Sequence, residues 1–507
     1  MQNYYQFMIP RLNGEEIRKN FSQYRSLVRK GIAGFIIFGG ELETVRTYAR
    51  KLQEEAELPL IISSDLERGL GQQLKGGTLF PPAMAIGAAL KNRQRAESNG
   101  EGQRAKGQDL SLIRKSFKAV AIVANYVGIN SIFAPVLDIN TNPKNPIIAV
   151  RAFGEDPATV SLLGLEMIKA LQSSGIAACG KHFPGHGDTS IDSHIKLPVL
   201  HQDMKRLRRY ELKPFAKAIE AGVKMIMLGH LSVPALDPSG TPVSFSKKAV
   251  QFLRKDMGYD GLLITDALNM GGIGNYSEEE ASAMALEAGV DILLHPSDAA
   301  KVAAHLESMK AWSDPMRLLR FRRRLRPLAA CNKPSFEYHA RISKQLTEGA
   351  ITVSRRFSLK GTPLLVILND DAGDKGRAFA RIMKKQMPRL RVVELRPGDR
   401  AQGIARQKDE TMIVAVFSET KAWKGGASRW LFNTISSLRP KADLFVSFGS
   451  PYLLVHTPLR GALSPTGGDK PCGVLDGTGK TPCLYAYWDA EQPQEAIAGF
   501  LSGTRWG

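Results

Sequence analysis

The feature that most constrains this chain is a series of eight short, almost wholly apolar runs spread over its first 300 residues. They are "FMIPRL" near the start, "GFIIFGG" (34–40), "PLIISSD" (59–65), "SIFAPVLDI" (131–139), "IAACGKHF" (176–183), "KMIMLGH" (224–230), "GLLITDA" (261–267) and "VDILLHP" (290–296). A strand that alternates apolar and polar residues has one wet face, whereas a continuous apolar run signals a strand covered on both sides, as in parallel sheets. Between the runs lie amphipathic stretches such as "ATVSLLGLEMIKALQSSG" (158–175), closed by a glycine suited to a helix C-cap. Eight such strands, each followed by a helix or loop, predict a (β/α)8 TIM-like barrel.

After the barrel a second α/β rhythm begins. Its strands are "PLLVILND" (363–370), "LRVVEL" (390–395), "TMIVAVFS" (411–418), "ADLFVSFG" (442–449) and "CLYAYW" (483–488). They predict a smaller parallel-sheet sandwich domain. The expected division is a barrel over 1–330, a linker over 331–350, and the second domain over 351–507. The Gly- and Pro-rich stretch from Leu459 to Pro482 reads as a long loop. No GxGxxG or GxxxxGK[ST] occurs, so no nucleotide cofactor is expected.

Several function classes are excluded here. No apolar run reaches the roughly 18 residues of a membrane span. The start has no signal-peptide pattern. Cys179, Cys331, Cys472 and Cys483 are scattered without a CxxC pair, which argues against structural zinc or a disulfide framework and points to the cytoplasm. The formal charge of +20 is spread along the chain. Its densest cluster, Met316–Pro327, has apolar residues at near-helical spacing and reads as a packed helix with a basic outer face. No nucleic-acid motif accompanies it, so no nucleic-acid partner is expected.

Polar residues end five of the apolar runs: Asp65, Asp138, the pair Lys181 and His182, His230 and Asp266. In a barrel, chemistry is built at the C-terminal ends of the strands. The densest polar passage, "KHFPGHGDTSIDSH" (181–194), begins at one of these ends. His182 and His186 are four apart, but Pro184, Gly185 and Gly187 forbid the helix that would align them as metal ligands. A solvated turn is the plain reading of Asp188. Asp192 and His194, two residues apart, have the spacing for a carboxylate to fold back onto an imidazole. That pairing fixes the imidazole's tautomer for acid/base work.

The same passage resembles the signature of glycoside hydrolase family 3, in its β-N-acetylglucosaminidase branch. "FPPAMAIGAA" (80–89), "FAPVLDINTNPKNPIIAVRAFGEDP" (133–157), "GYDGLLITDALNM" (258–270) and "AGVDILLHP" (288–296) resemble it too, in the family's order. The second domain is similar to that of two-domain members through "VSFGSPYLL" (446–454). The resemblance implies a retaining mechanism without cofactor or metal. Asp266 would be the nucleophile, and His194 the acid/base with Asp192 as its partner. Asp65, Arg151, Lys181 and His182 would bind the sugar. It also implies a carbohydrate substrate, such as peptidoglycan fragments in cell-wall recycling.

One segment departs from the family's "D-x-E-G-G-R" pattern. This chain reads "DLERGLGQQL" (65–74), with Arg68 for the first glycine and Leu70 for the arginine. Two rivals follow: a β-glucosidase or other specificity within the family, and a sugar-binding protein without catalysis. The "DTSIDSH" loop speaks against the first, and the joint presence of Asp266, Asp192 and His194 against the second.

Overall fold

The computed structural model describes residues 2–98, 108–325, 332–419, 424, 426–455 and 481–503. Cys331, Cys472 and nearly all of the expected 459–482 loop lie outside the described residues. The chain divides into two compact units, 1–80 with 111–140 and 156–343, and 81–110 with 141–155 and 344–507. A helix, Phe336–Ala350, occupies most of the stretch read as a linker.

In the first unit, Met8–Ile9 (β1) and Arg11–Asn13 (β2) form one strand interrupted at Pro10, which has no N–H to donate. Gly34–Phe38 (β3), Ile61–Ser64 (β4), Ser131–Ile132 (β5), Ala177–Phe183 (β6), Met225–Leu228 (β7) and Leu262–Thr265 (β8) follow in parallel order from β2. Leu293–Leu294 (β9) pairs in parallel with β1, and an Ile264–Ile292 bridge joins its approach to β8. The ring is therefore closed, and all eight apolar runs take part in it.

Helices such as Phe21–Arg29, Leu42–Glu55, Pro157–Ser173 and Glu278–Ala288 lie between the strands. Local chemistry sets their ends. Asp156 caps Thr159 N–H ahead of a proline in the first turn, and Ser277 and Glu280 form a capping box. Gly289, at φ +95°, closes the last helix in the left-handed conformation that glycine adopts without steric cost. β3, β4 and β6–β8 are buried along almost their whole length, so their polar residues gather at the carboxyl ends.

The second unit holds a six-stranded sheet. Thr352–Val353 (β10) is an antiparallel edge strand that sequence reading did not anticipate. The rest are parallel: Thr362–Asn369 (β11), Arg391–Leu395 (β12), Glu410–Ser418 (β13), Leu444–Gly449 (β14) and Cys483–Tyr485 (β15). Their order is β10-β15-β14-β13-β11-β12. Leu364, Val366, Met412 and Val414 pack into one core, and Leu365, Ile367, Ile413 and Ala415 into another. Burial on both faces explains why these strands read as unbroken apolar runs.

Candidate active site

The C-terminal ends of β4 to β8 carry the polar and charged groups of the first unit's site. β6 runs straight into the passage singled out from sequence. Lys181 is buried, and its Nζ lies 2.7 Å from Asp65 Oδ1 and 2.8 Å from Glu67 Oε1. Both carboxylates follow β4, so one ammonium from β6 is clamped between two anions across the intervening β5. Glu67, the glutamate of the "DLERGLGQQL" segment, was given no role from the sequence. Arg68, in the divergent segment, donates from Nε to the Phe80 carbonyl at 3.1 Å, and Leu70 is buried.

The neighbouring His182 presents Nδ1 to Asp138 Oδ2 at 2.7 Å, and its N–H reaches Oδ1 at 3.3 Å. The His186 N–H donates to the same Oδ1 at 2.7 Å. Asp138 is fully buried. Burial would raise its pKa, but His182 beside it, reinforced by His186, holds it below the ordinary carboxylate range. Asp138 thus fixes both the His182 ring and the first turn of the following loop. His186 is buried with Nδ1 2.7 Å from Thr189 Oγ1, and burial lowers it to about 4.

At the loop's far end, His194 Nδ1 lies 2.8 Å from Asp192 Oδ1, and the His194 N–H donates to the same oxygen at 2.9 Å. The carboxylate is buried while the imidazole keeps partial exposure. Asp192 thus holds His194 through both Nδ1 and the backbone N–H.

Asp266 follows β8 and accepts the Ala267 N–H at 2.8 Å. Burial alone would raise its pKa. Nearby His182, His230 and His194, with that N–H, outweigh burial and lower it from 3.8 to about 2. His230, at the end of β7, meets Ser244 Oγ at 2.6 Å through Nδ1 and the Ala267 carbonyl at 3.0 Å through Nε2. A carbonyl only accepts, so Nε2 carries a proton and donates it there. Burial lowers the pKa of His230. It braces the segment that bears Asp266.

The structure therefore brings together Asp65, Lys181, His182, Asp192, His194 and Asp266 at one end of one barrel. Arg151 ends a short 3-10 turn, Ala149–Arg151, that belongs to the second unit. The free thiols of Cys179 and Cys483 are buried, and burial raises both pKa values. Among the described residues, Asp371, Glu419 and Asp489 of the second unit bring ligand oxygens within 4.8 Å of one another. Lys375 and Lys424 already pair with them. No helix among the described residues is long and apolar enough to cross a membrane.

Residues 5–319 match the family model described as the glycosyl hydrolase family 3 N terminal domain. A β-hexosaminidase A of Pseudoalteromonas piscicida is 37% identical over 259 residues, covering 48% of this chain and 41% of that protein. A β-hexosaminidase of Thiobacillus denitrificans is 32% identical over 326 residues, covering 62% of this chain and 86% of that protein. Among solved structures, a family 3 β-N-acetylglucosaminidase from Paenibacillus superimposes with a TM-score of 0.76 at 26% identity. The match covers 99% of this chain and 96% of that one.

Proposed function

Since the chain belongs to glycosyl hydrolase family 3, we propose that it is a retaining, exo-acting β-N-acetylglucosaminidase with Asp266 as nucleophile and His194 as acid/base. The observation that carries this reading is the pairing of opposite tasks at one site. Asp266 is a buried carboxylate kept ionised to about pH 2. His194 is a part-exposed imidazole whose Nδ1 is already committed to Asp192. A nucleophile has to be anionic at working pH, and an acid/base has to exchange a proton near neutrality.

In the first step an Asp266 oxygen attacks the anomeric carbon as the glycosidic C–O bond breaks, and His194 Nε2–H protonates the departing oxygen. In the second, His194 takes a proton from water, the water oxygen attacks the same carbon, and the bond to Asp266 breaks. Asp192 keeps the Nδ1 proton in place while His194 passes from imidazolium to neutral imidazole and back at Nε2.

Asp65, Lys181 and His182 bind sugar hydroxyls. Hydroxyls need both kinds of partner, and here a carboxylate and an ammonium stand 2.7 Å apart. Asp138 orients His182 rather than touching the sugar. Relatives named β-hexosaminidases support reading the substrate as an N-acetylglucosaminide rather than a glucoside. Peptidoglycan fragments in a cytoplasmic recycling route are the substrate we infer, because their carboxylates suit a chain of net charge +20.

The test is turnover of an aryl β-N-acetylglucosaminide against an aryl β-glucoside. Wild type should strongly prefer the first, and preference for the glucoside overturns the specificity. Hydrolysis of an anionic muropeptide should weaken with salt more steeply than that of a neutral chitobioside. Equal salt dependence removes the argument from charge.

A further inference from the structure

The loop that carries Asp192 and His194 is seated on two consecutive glycines in the segment after Asp266. The Gly271 N–H donates to the His194 carbonyl at 3.1 Å. A Cβ on Gly271 would lie 2.5 Å from the Ile195 carbonyl oxygen and 3.1 Å from that of His194. On Gly272 it would lie 2.6 Å from the Ser193 carbonyl oxygen and 2.8 Å from His230 Cβ. Neither glycine has a positive φ, so backbone conformation does not demand glycine at either position. What demands it is close approach: three successive carbonyls of the proton-transfer loop, Ser193 to Ile195, rest where side chains would otherwise stand.

This contact links the two chemical groups through the chain. Asp266 sits five residues before Gly271 on the segment leaving β8. His230 braces that segment through the Ala267 carbonyl, and its own Cβ faces Gly272. At the loop's other end, Asp138 ties down His186, and Gly187 packs so tightly on the Ile139 carbonyl that a Cβ would lie 1.9 Å from its oxygen. Residues 184–196 are thus pinned near both ends, and the pin beside His194 is the glycine pair.

We propose that Gly271 and Gly272 are positioning residues that set the height of His194 above the nucleophile by seating its loop directly on backbone. The proposal rests on the catalytic roles given above to Asp266 and His194. A Cβ at either glycine has to push those carbonyls out by roughly 0.5–1 Å to restore van der Waals contact. A misplacement of about 1 Å in a catalytic group costs on the order of 100-fold in rate. For Gly271→Ala the loss falls on proton transfer, because its close contacts are with the loop and Asp266 keeps its own support from β8, the Ala267 N–H and His230.

The experiment compares wild type with Gly271→Ala and Gly272→Ala. kcat/KM, which reads the glycosylation step, is measured on chitobiose and on a dinitrophenyl β-N-acetylglucosaminide. The dinitrophenolate leaves without protonation, so the loss should be about 100-fold on chitobiose and at least tenfold smaller on the dinitrophenyl substrate. Amide hydrogen exchange over 187–196 should quicken in the same variants. Gly271→Ala carries the test if Gly272→Ala does not fold, because the close contacts at Gly271 are with the loop alone. Equal losses on both substrates, or unchanged exchange, overturn the proposal. If wild type turns over neither substrate, the functional reading fails. Exchange alone then decides whether the glycines seat the loop.

Discussion

Replacing Lys181 by methionine tests the clamp between β4 and β6. Nζ lies 2.7 Å from Asp65 and 2.8 Å from Glu67, so the two oxygens are no more than about 5.5 Å apart. Methionine fills most of the same space without the charge and leaves two carboxylates facing each other. At an effective dielectric of about 20, two unit charges at that separation repel by about 3 kcal/mol. That agrees with the roughly 3–5 kcal/mol measured when one member of a buried ion pair is removed. Denaturant unfolding should therefore show Lys181→Met less stable by about 3 kcal/mol, with the slope against denaturant unchanged. The double variant Lys181→Met/Glu67→Gln removes one of the repelling charges and should recover about 2 kcal/mol of the loss or more. Its kcat/KM should stay about 100-fold or more below wild type, because the ammonium donor to the sugar is still missing. Stability would then return without activity. A double variant as unstable as the single one refutes repulsion as the cause. Recovery of activity along with stability refutes Lys181 as a sugar ligand.

Other expectations concern the reacting groups. Asp266→Asn should lose on the order of 10⁴-fold or more in kcat on every substrate, since an amide cannot form the glycosyl intermediate. In wild type the folded Asp266 pKa of about 2 lies below its ordinary 3.8. This carboxylate therefore contributes stability that is complete above about pH 4 and lost as pH falls through about 2. The contribution is about 2 kcal/mol. The slope of stability against pH between 4 and 2 should accordingly shrink in Asp266→Asn. His194→Ala should cost far more on chitobiose than on a dinitrophenyl glycoside, and azide should speed its second step with the activated substrate. Equal losses on both would remove His194 from proton transfer.

Glu211 is buried beside the loop, where a Cβ on Gly185 would lie 3.0 Å from the Glu211 Cβ. Burial raises its pKa from 4.5 to about 7. The folded state then binds a proton more readily than the unfolded one, so stability falls as pH rises from about 4.5 through about 7. Glu211→Gln should flatten that fall and gain up to about 3 kcal/mol above pH 7. Melting temperatures measured from pH 5 to 8 read the difference, and parallel curves for the two proteins refute it.

By itself the sequence determined the barrel and the ends of its strands. A strand buried on both faces has to be largely apolar, and that demand is written in consecutive residues such as Gly34–Phe38 and Met225–Leu228. The polar residues closing five of the eight runs, Asp266 among them, were legible for the same reason. So was the bond between Asp192 and His194, because two residues of chain suffice to bring the groups together. The tertiary structure alone decided everything that depends on ring closure. It placed Glu67 on Lys181 across more than 100 residues and set Asp138 behind His182. It turned His230 into a brace, and pressed the carbonyls of Ser193 to Ile195 onto Gly271 and Gly272. It also joined β1 to β9 and added the antiparallel edge strand β10. Local pattern records which faces of an element avoid water, and it carries no record of which distant backbone will arrive at a given strand end. For Lys181 and for the two glycines, that arrival is what gives the residue its task.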